Sequence, residues 1–194
     1  MDFNLTEDQV AFADAARAFS EQELAPNAGE WDLQHIFPKD VIKKAGELGF
    51  CGIYTPEKAG GMGLSRLDAH VIFEQLSMGC TSTTAFITIH NMATWMIGEF
   101  GNEQTIEQWC PDLVMGEKLA SYCLTEPNAG SDAGSLKTSA KRDGDEYILN
   151  GSKCFISGAG DTEVLVVMAR TGAEGPKGIS AFAVDASLAG ISYG

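Results

Sequence analysis

The residues of this chain that could do chemistry gather in one stretch, Tyr122-Cys123-Leu124-Thr125-Glu126-Pro127-Asn128-Ala129-Gly130-Ser131-Asp132. It leaves a strand-like run and becomes a loop of hydroxyls, small residues and exposed amides. Such a loop can offer several hydrogen-bond donors to an acceptor-rich ring edge, or to a phosphate, without cationic side chains. The same composition also fits a plain turn at a domain boundary, and composition alone leaves both readings open. Elsewhere the chemistry thins out. Gly60-Gly61-Met62-Gly63 has no strand before it, and Gly158-Ala159-Gly160 is followed by a strand rather than a helix. Neither forms a dinucleotide fingerprint, which needs a helix N-terminus to meet the pyrophosphate. No GxSxG elbow selects a nucleophile, and Glu74 and Glu99 read as solvated helix positions. His35, His70 and His90 show no ligand spacing with one another or with a cysteine, so no metal site is expected. The five cysteines, Cys51, Cys80, Cys110, Cys123 and Cys154, form no CxxC pair and read as free thiols.

The charge balance narrows the partners. Against 27 acidic residues stand 13 basic ones, a formal net charge of −14. A phosphate backbone needs clustered Lys and Arg, so nucleic acid is excluded, and anionic membrane surfaces are disfavoured on the same ground. A phosphate-bearing ligand must then be held by local dipoles and hydrogen bonds. No run approaches the roughly 20 apolar residues of a membrane span. Met1-Asp2-Phe3-Asn4-Leu5 has neither a basic nor an apolar leader region, so no targeting segment is expected. That reading favours bacterial cytoplasm, or the mitochondrial matrix for a processed chain.

Two kinds of element position the loop. Residues 1–118 carry helical apolar spacing. Thr6 with Gln9 makes a capping box, with Leu5 and Val10 at the staple positions, and Phe12, Ala16 and Phe19 continue one face until Pro26. A second helix starts near Pro38, carries Val41, Ile42, Ala45 and Leu48, and stops at Gly49. After the Glu57–Leu64 loop, Ser65 caps a third helix bearing Leu67, Val71, Ile72 and Leu76. A fourth spans about Thr83 to Ile97, and Asn102 opens a short fifth that Pro111 interrupts. This half reads as a helical bundle. From 119 to 194 the period changes. Ser121–Leu124 is strand-like, and Thr138 to Ser157 reads as a three-strand meander turned at Asp143-Gly144 and Asn150-Gly151. Val164–Met168 and Ile179–Val184 add two strands, and no closing strand is evident before Gly194. The expected fold is therefore α+β and multidomain: helices over 1–118, then an incomplete antiparallel β-domain over 119–194.

Ser121-Tyr122-Cys123-Leu124-Thr125-Glu126-Pro127 through Ser131-Asp132 resembles the signature of acyl-CoA dehydrogenases. Some way downstream, Tyr147-Ile148-Leu149-Asn150-Gly151-Ser152-Lys153 and Phe155-Ile156-Ser157 resemble that family's second flavin segment. Thr55-Pro56-Glu57 with Gly60-Gly61-Met62-Gly63-Leu64 resembles its interhelical loop. The resemblance covers the whole chain, and His90-Asn91-Met92, Trp95-Met96-Ile97 and Phe100-Gly101-Asn102-Glu103 look like the branch acting on isobutyryl-CoA in valine breakdown.

The resemblance implies FAD as cofactor and a short or branched acyl-CoA as substrate, converted to the enoyl-CoA. It also implies an electron-transfer flavoprotein as acceptor and a homotetramer when complete. By the same resemblance Tyr122, Cys123, Leu124, Thr125, Gly130 and Ser131 would contact the flavin, with Ser131 also touching the CoA portion of the substrate. Phe155 and Ile156 would lie against the ring system, and Ser157 would bond the central-ring nitrogen. Many relatives have tryptophan where Phe155 stands, and a phenyl ring covers less area and lacks the indole donor. Most relatives place the catalytic glutamate on a C-terminal helical domain. No residue here matches its motif, so no catalytic residue is assigned, and this chain alone is expected to turn over nothing. The alternative is a non-catalytic scaffold or assembly protein on the same fold. Acyl-CoA oxidases and flavin monooxygenases on related folds are weaker enzymatic alternatives.

Overall fold

The computed structural model describes residues 4–194; Met1–Phe3, part of the leader reading, lie outside the described residues. The chain divides into two compact units, Met1–Leu119 and Ala120–Gly194.

In the first unit the described residues form helices and loops, with no strand among them. Helix α1 (Glu7–Phe19) begins at the capping box: Gln9 N donates to Thr6 Oγ1 at 3.2 Å and Thr6 N donates to Gln9 Oε1 at 3.1 Å. Helix α4 (Arg66–Gly79) starts the same way from Ser65 and Asp68. Gln9 Nε2 donates to Asp68 Oδ1 at 2.8 Å, so the two caps hold each other. Leu5 and Val10, at the staple positions, remain half exposed. A π-helical turn over Ser20–Leu24 extends α1 and buries Leu24. Helix α3 (Lys39–Glu47) ends before Gly49, whose φ of 83° is the left-handed conformation glycine adopts cheaply. Ile42, Ile53, Ile72, Leu76 and Ile87 form the centre of the core, while Leu48 and Leu67 point outward.

Three helical details depart from the apolar pattern. Helix α2 (Ala28–Gln34) buries none of its residues, so it has no stripe to read. Helix α5 (Thr81–Phe100) runs longer than its apolar stripe at both ends. Helix α6 (Glu103–Val114), capped by Asn102, passes through Pro111 without stopping. Burial of Trp109, Cys110, Leu113 and Val114 around the proline outweighs the missing backbone donor. On α5, Asn91 is fully buried and takes the place of absent backbone partners. Its Oδ1 accepts from Ile53 N at 2.8 Å, and its Nδ2 donates to the carbonyls of Phe50 at 2.8 Å and Ile87 at 3.0 Å.

The second unit is a five-stranded sheet: β1 (Ala120–Cys123), β2 (Ser139–Asp143), β3 (Glu146–Asn150), β4 (Val164–Arg170) and β5 (Ile179–Asp185). Strand β4 is its hub. It pairs with β1 in parallel, Ala120 opposite Val164, and with β2 in parallel at Ser139 and Arg170. It pairs antiparallel with β5, and β2 pairs antiparallel with β3. The sheet is thus mixed rather than antiparallel, because β1 and β4 are joined by a long excursion that returns in the same direction. A hairpin turn forms between β2 and β3 one residue later than expected, at Gly144-Asp145, because Asp143 pairs with Glu146 in the ladder; Gly144 has φ 61°. The third strand of the expected meander does not form. Gly151 sits against Thr138, where an added Cβ would come within 2.3 Å of its hydroxyl. Beyond it the chain leaves β3 to bond with the loop that follows β1.

Candidate functional site

The site is built by the second unit from two stretches that the fold lays side by side. The Ser121 hydroxyl, buried on β1, donates to the carbonyl of Ser157 at 2.7 Å and shares a hydrogen bond with Thr162 Oγ1 at 2.8 Å. Past the end of β1 the roles reverse. The carbonyl of Thr125 accepts from Cys154 N at 2.9 Å, and that of Leu124 accepts from Lys153 Nζ at 3.0 Å. Residues 152–157 thus bond to the first stretch through Cys154 N, Lys153 Nζ and the Ser157 carbonyl instead of forming a strand on β3. The chain then turns, with Glu126 and Ala129 exchanging backbone bonds of 3.1 and 3.0 Å, and presents Gly130 and Ser131 to solvent.

Glu126 was not among the expected site residues, yet it organises this loop. It is only 8% exposed. One carboxylate oxygen accepts from Lys153 Nζ at 2.8 Å and Thr138 N at 2.9 Å, and the other from Lys137 N at 2.6 Å. Burial pushes its carboxyl up, but the Lys153 ammonium and the backbone amides of Lys137 and Thr138 outweigh that and bring it to about 2. It is an anion under all ordinary conditions. The available sequence signal was an acid inside the first stretch and a single cation, Lys153, inside the second.

Phe155 stands out by conformation. Its φ is 56°, a region that bulky L-residues rarely enter, and its side chain is 94% exposed. Neither the strain nor the exposure is explained by packing within the unit. Cys123, Phe155 and Ile156 border a cleft of about 530 Å³ together with Lys153, Leu165 and Val184. Tyr122, Leu124, Thr125, Gly130, Ser131 and Ser157 do not border it. The Cys123 thiol is pushed up to about 11 by burial, with Lys153 pulling slightly the other way. It is a neutral packing group and no nucleophile. Burial likewise raises the Tyr122 hydroxyl. A smaller cavity of about 220 Å³ in the first unit, beside Trp31, Phe37 and Phe86, involves none of the expected residues. Among the described residues no cluster of His, Cys, Asp or Glu could hold a metal, and no helix is long and apolar enough to cross a membrane.

A helical unit followed by a mixed sheet, with a strand-exit loop tied to a second exposed stretch, is the architecture of a class of flavoproteins. Residues 6–117 match the N-terminal domain of acyl-CoA dehydrogenase, and residues 121–194 match its middle domain. The chain belongs to the acyl-CoA dehydrogenase family, whose enzymes use FAD. It is 56% identical over 191 residues to mitochondrial isobutyryl-CoA dehydrogenase of Dictyostelium discoideum, covering 98% of this chain and 46% of that protein. A chain in a structure of the electron-transferring flavoprotein of Acidaminococcus fermentans superposes with a TM-score of 0.92 at 40% identity, over 100% of this chain and 52% of that one. PigA, solved with FAD and proline, superposes with a TM-score of 0.91 at 30% identity, over 98% of this chain and 51% of its own. The chain thus spans about half the length of the relatives it matches.

Proposed function

We propose that this chain supplies the flavin-holding part of an FAD-dependent dehydrogenase acting on a short or branched acyl-CoA of the isobutyryl type. Electrons would pass on to an electron-transfer flavoprotein. The observation that carries this reading is the junction of the two stretches through Thr125 with Cys154 and Ser121 with Ser157. The strained, exposed Phe155 ring fits a flat aromatic partner, and the joined loop carries the hydroxyls of Thr125 and Ser131 for a polar ring edge. The identity to an isobutyryl-CoA dehydrogenase supports the substrate class.

In this reading the loop from Tyr122 to Ser131 holds the ring edge through backbone groups and the Thr125 hydroxyl. Phe155 and Ile156 cover a face and exclude water from it, and the Ser157 hydroxyl fixes the ring's rotation. Ser131, exposed on the turn, would meet the CoA portion of the substrate as well. Bound flavin supplies the redox step, accepting a hydride, while the protein's groups orient it. Alignment matters because efficient transfer needs reacting atoms at roughly 3–3.5 Å.

The test is anaerobic addition of isobutyryl-CoA to the intact flavin-loaded protein. Bleaching of the flavin absorbance is expected where the catalytic base, which is not assigned in this chain, is also present; an unchanged spectrum there with all short acyl-CoAs would favour a non-catalytic scaffold. In the same protein Ser157→Ala should weaken FAD by about fivefold, the loss of one ordinary hydrogen bond of about 1 kcal/mol. Unchanged affinity together with an unchanged bleaching rate would remove Ser157 from the site.

A further inference from the structure

The two stretches of the site are not held by backbone bonds alone. At their junction sits an ion pair between Glu126 and Lys153 whose side chains are only 8% and 12% exposed. An ion pair this enclosed is a poor device for simple stability, because removing two charges from water costs nearly as much as their attraction returns. It does fix a geometry. Lys153 donates both to Glu126 at 2.8 Å and to the Leu124 carbonyl at 3.0 Å, so one ammonium spans two residues of the first stretch. Glu126 accepts in addition from the amides of Lys137 and Thr138, at the entry to β2. Three separate segments, 124–126, 137–138 and 153, therefore meet on one carboxylate–ammonium pair. Cys154 and Phe155 follow Lys153 directly, and Thr125 lies between Leu124 and Glu126.

Resting on the flavin reading above, we propose that Glu126 and Lys153 are positioning residues that set the spacing between the Thr125 edge and the Phe155–Ser157 edge of the flavin site. Neither touches the ring in this role. Glu126 anchors to two rigid backbone amides, Lys153 reaches from that anchor to the second stretch, and the strained turn at Phe155 is held open in consequence. Lysine at 153 must supply a cation able to donate in two directions at once. Arginine can do the same; methionine, of similar length, cannot.

The experiment compares the intact protein with Lys153→Arg, Lys153→Met, Glu126→Gln and the double variant Glu126→Gln/Lys153→Met. FAD affinity is read by fluorescence titration and ring orientation by the visible circular dichroism of bound flavin. Urea midpoints report stability separately. Each single neutral variant strands a buried charge and should lose stability, whereas the double variant strands none and should recover most of it. Flavin affinity should stay at least about tenfold weaker in the double variant, with an altered visible dichroism band, because stability returns but spacing does not. Lys153→Arg should keep affinity within about threefold and keep the band. The proposal is overturned if the double variant binds FAD within about threefold of the parent with an unchanged band, which would make the pair purely structural. If the parent itself binds no FAD, the flavin reading falls and takes this proposal with it. Parent binding with indifferent variants removes the positioning role alone.

Discussion

Replacing Phe155 by glycine separates what the fold needs from what a ligand needs. The backbone at Phe155 has φ 56°. For a residue with a Cβ, that conformation costs roughly 1–2 kcal/mol. Glycine removes the cost but brings back roughly 0.5–1 kcal/mol of chain entropy. The ring's own contribution to the fold is small. With 94% of the residue exposed, a few per cent of a ~200 Å² aromatic surface is buried, which amounts to ~0.3 kcal/mol. The sum predicts that Phe155→Gly leaves the flavin-free protein unchanged or more stable by up to about 1 kcal/mol. If the ring instead covers ~60 Å² of a flat ligand, its loss should weaken FAD by ~1.5 kcal/mol, a little over tenfold. Urea denaturation of the flavin-free protein and an FAD titration read the two effects separately, with Phe155→Trp as the control that keeps a ring. A stability loss above about 1 kcal/mol would refute the reasoning, since it would show that the ring packs within the protein. Unchanged FAD affinity would refute the assignment of Phe155 as a ring contact.

Two further outcomes follow from the helical unit. Burial holds the His90 imidazole down from 6.5 to about 4, the Leu113 carbonyl opposing. The folded state therefore keeps the ring neutral, and stability complete above pH 6.5 should be lost as pH falls through 4, by roughly 2–3 kcal/mol. Urea midpoints between about pH 7 and pH 4.5 measure it, and His90→Gln should flatten that part of the profile; an equally steep profile in the variant assigns the loss elsewhere. Asn91→Ala should cost about 3 kcal/mol, because it leaves the buried Ile53 amide and Phe50 carbonyl without their partner. A loss below about 1 kcal/mol in urea would mean that the backbone re-pairs by itself.

Much of the helical half was legible because its signals are local. Thr6 with Gln9, Ser65 and Asn102 mark helix starts through bonds that span only three residues, and Gly49 marks a stop through its own φ. Helix α2 carried no such mark, since a short element that packs Trp31 against the core and fully buries no residue leaves no apolar period. Pro111 misled for the opposite reason: a local rule said stop, and burial of its neighbours on α6 prevailed. In the β half, the strands at Val164 and Ile179 and, to within one residue, the turn at Gly144 were readable from residue type.

By itself the sequence determined which two stretches resemble the family's motifs, because each motif is a contiguous run of residues. It could not determine how they meet. The parallel pairing of β1 with β4, the loss of the third meander strand and the junction of Thr125 with Cys154 are contacts between residues far apart in the chain. Such contacts depend on which of several competing partners each backbone group finds. The same holds for Glu126, an ordinary acid in the sequence that became the anchor of the loop only when the fold brought Lys137, Thr138 and Lys153 around it.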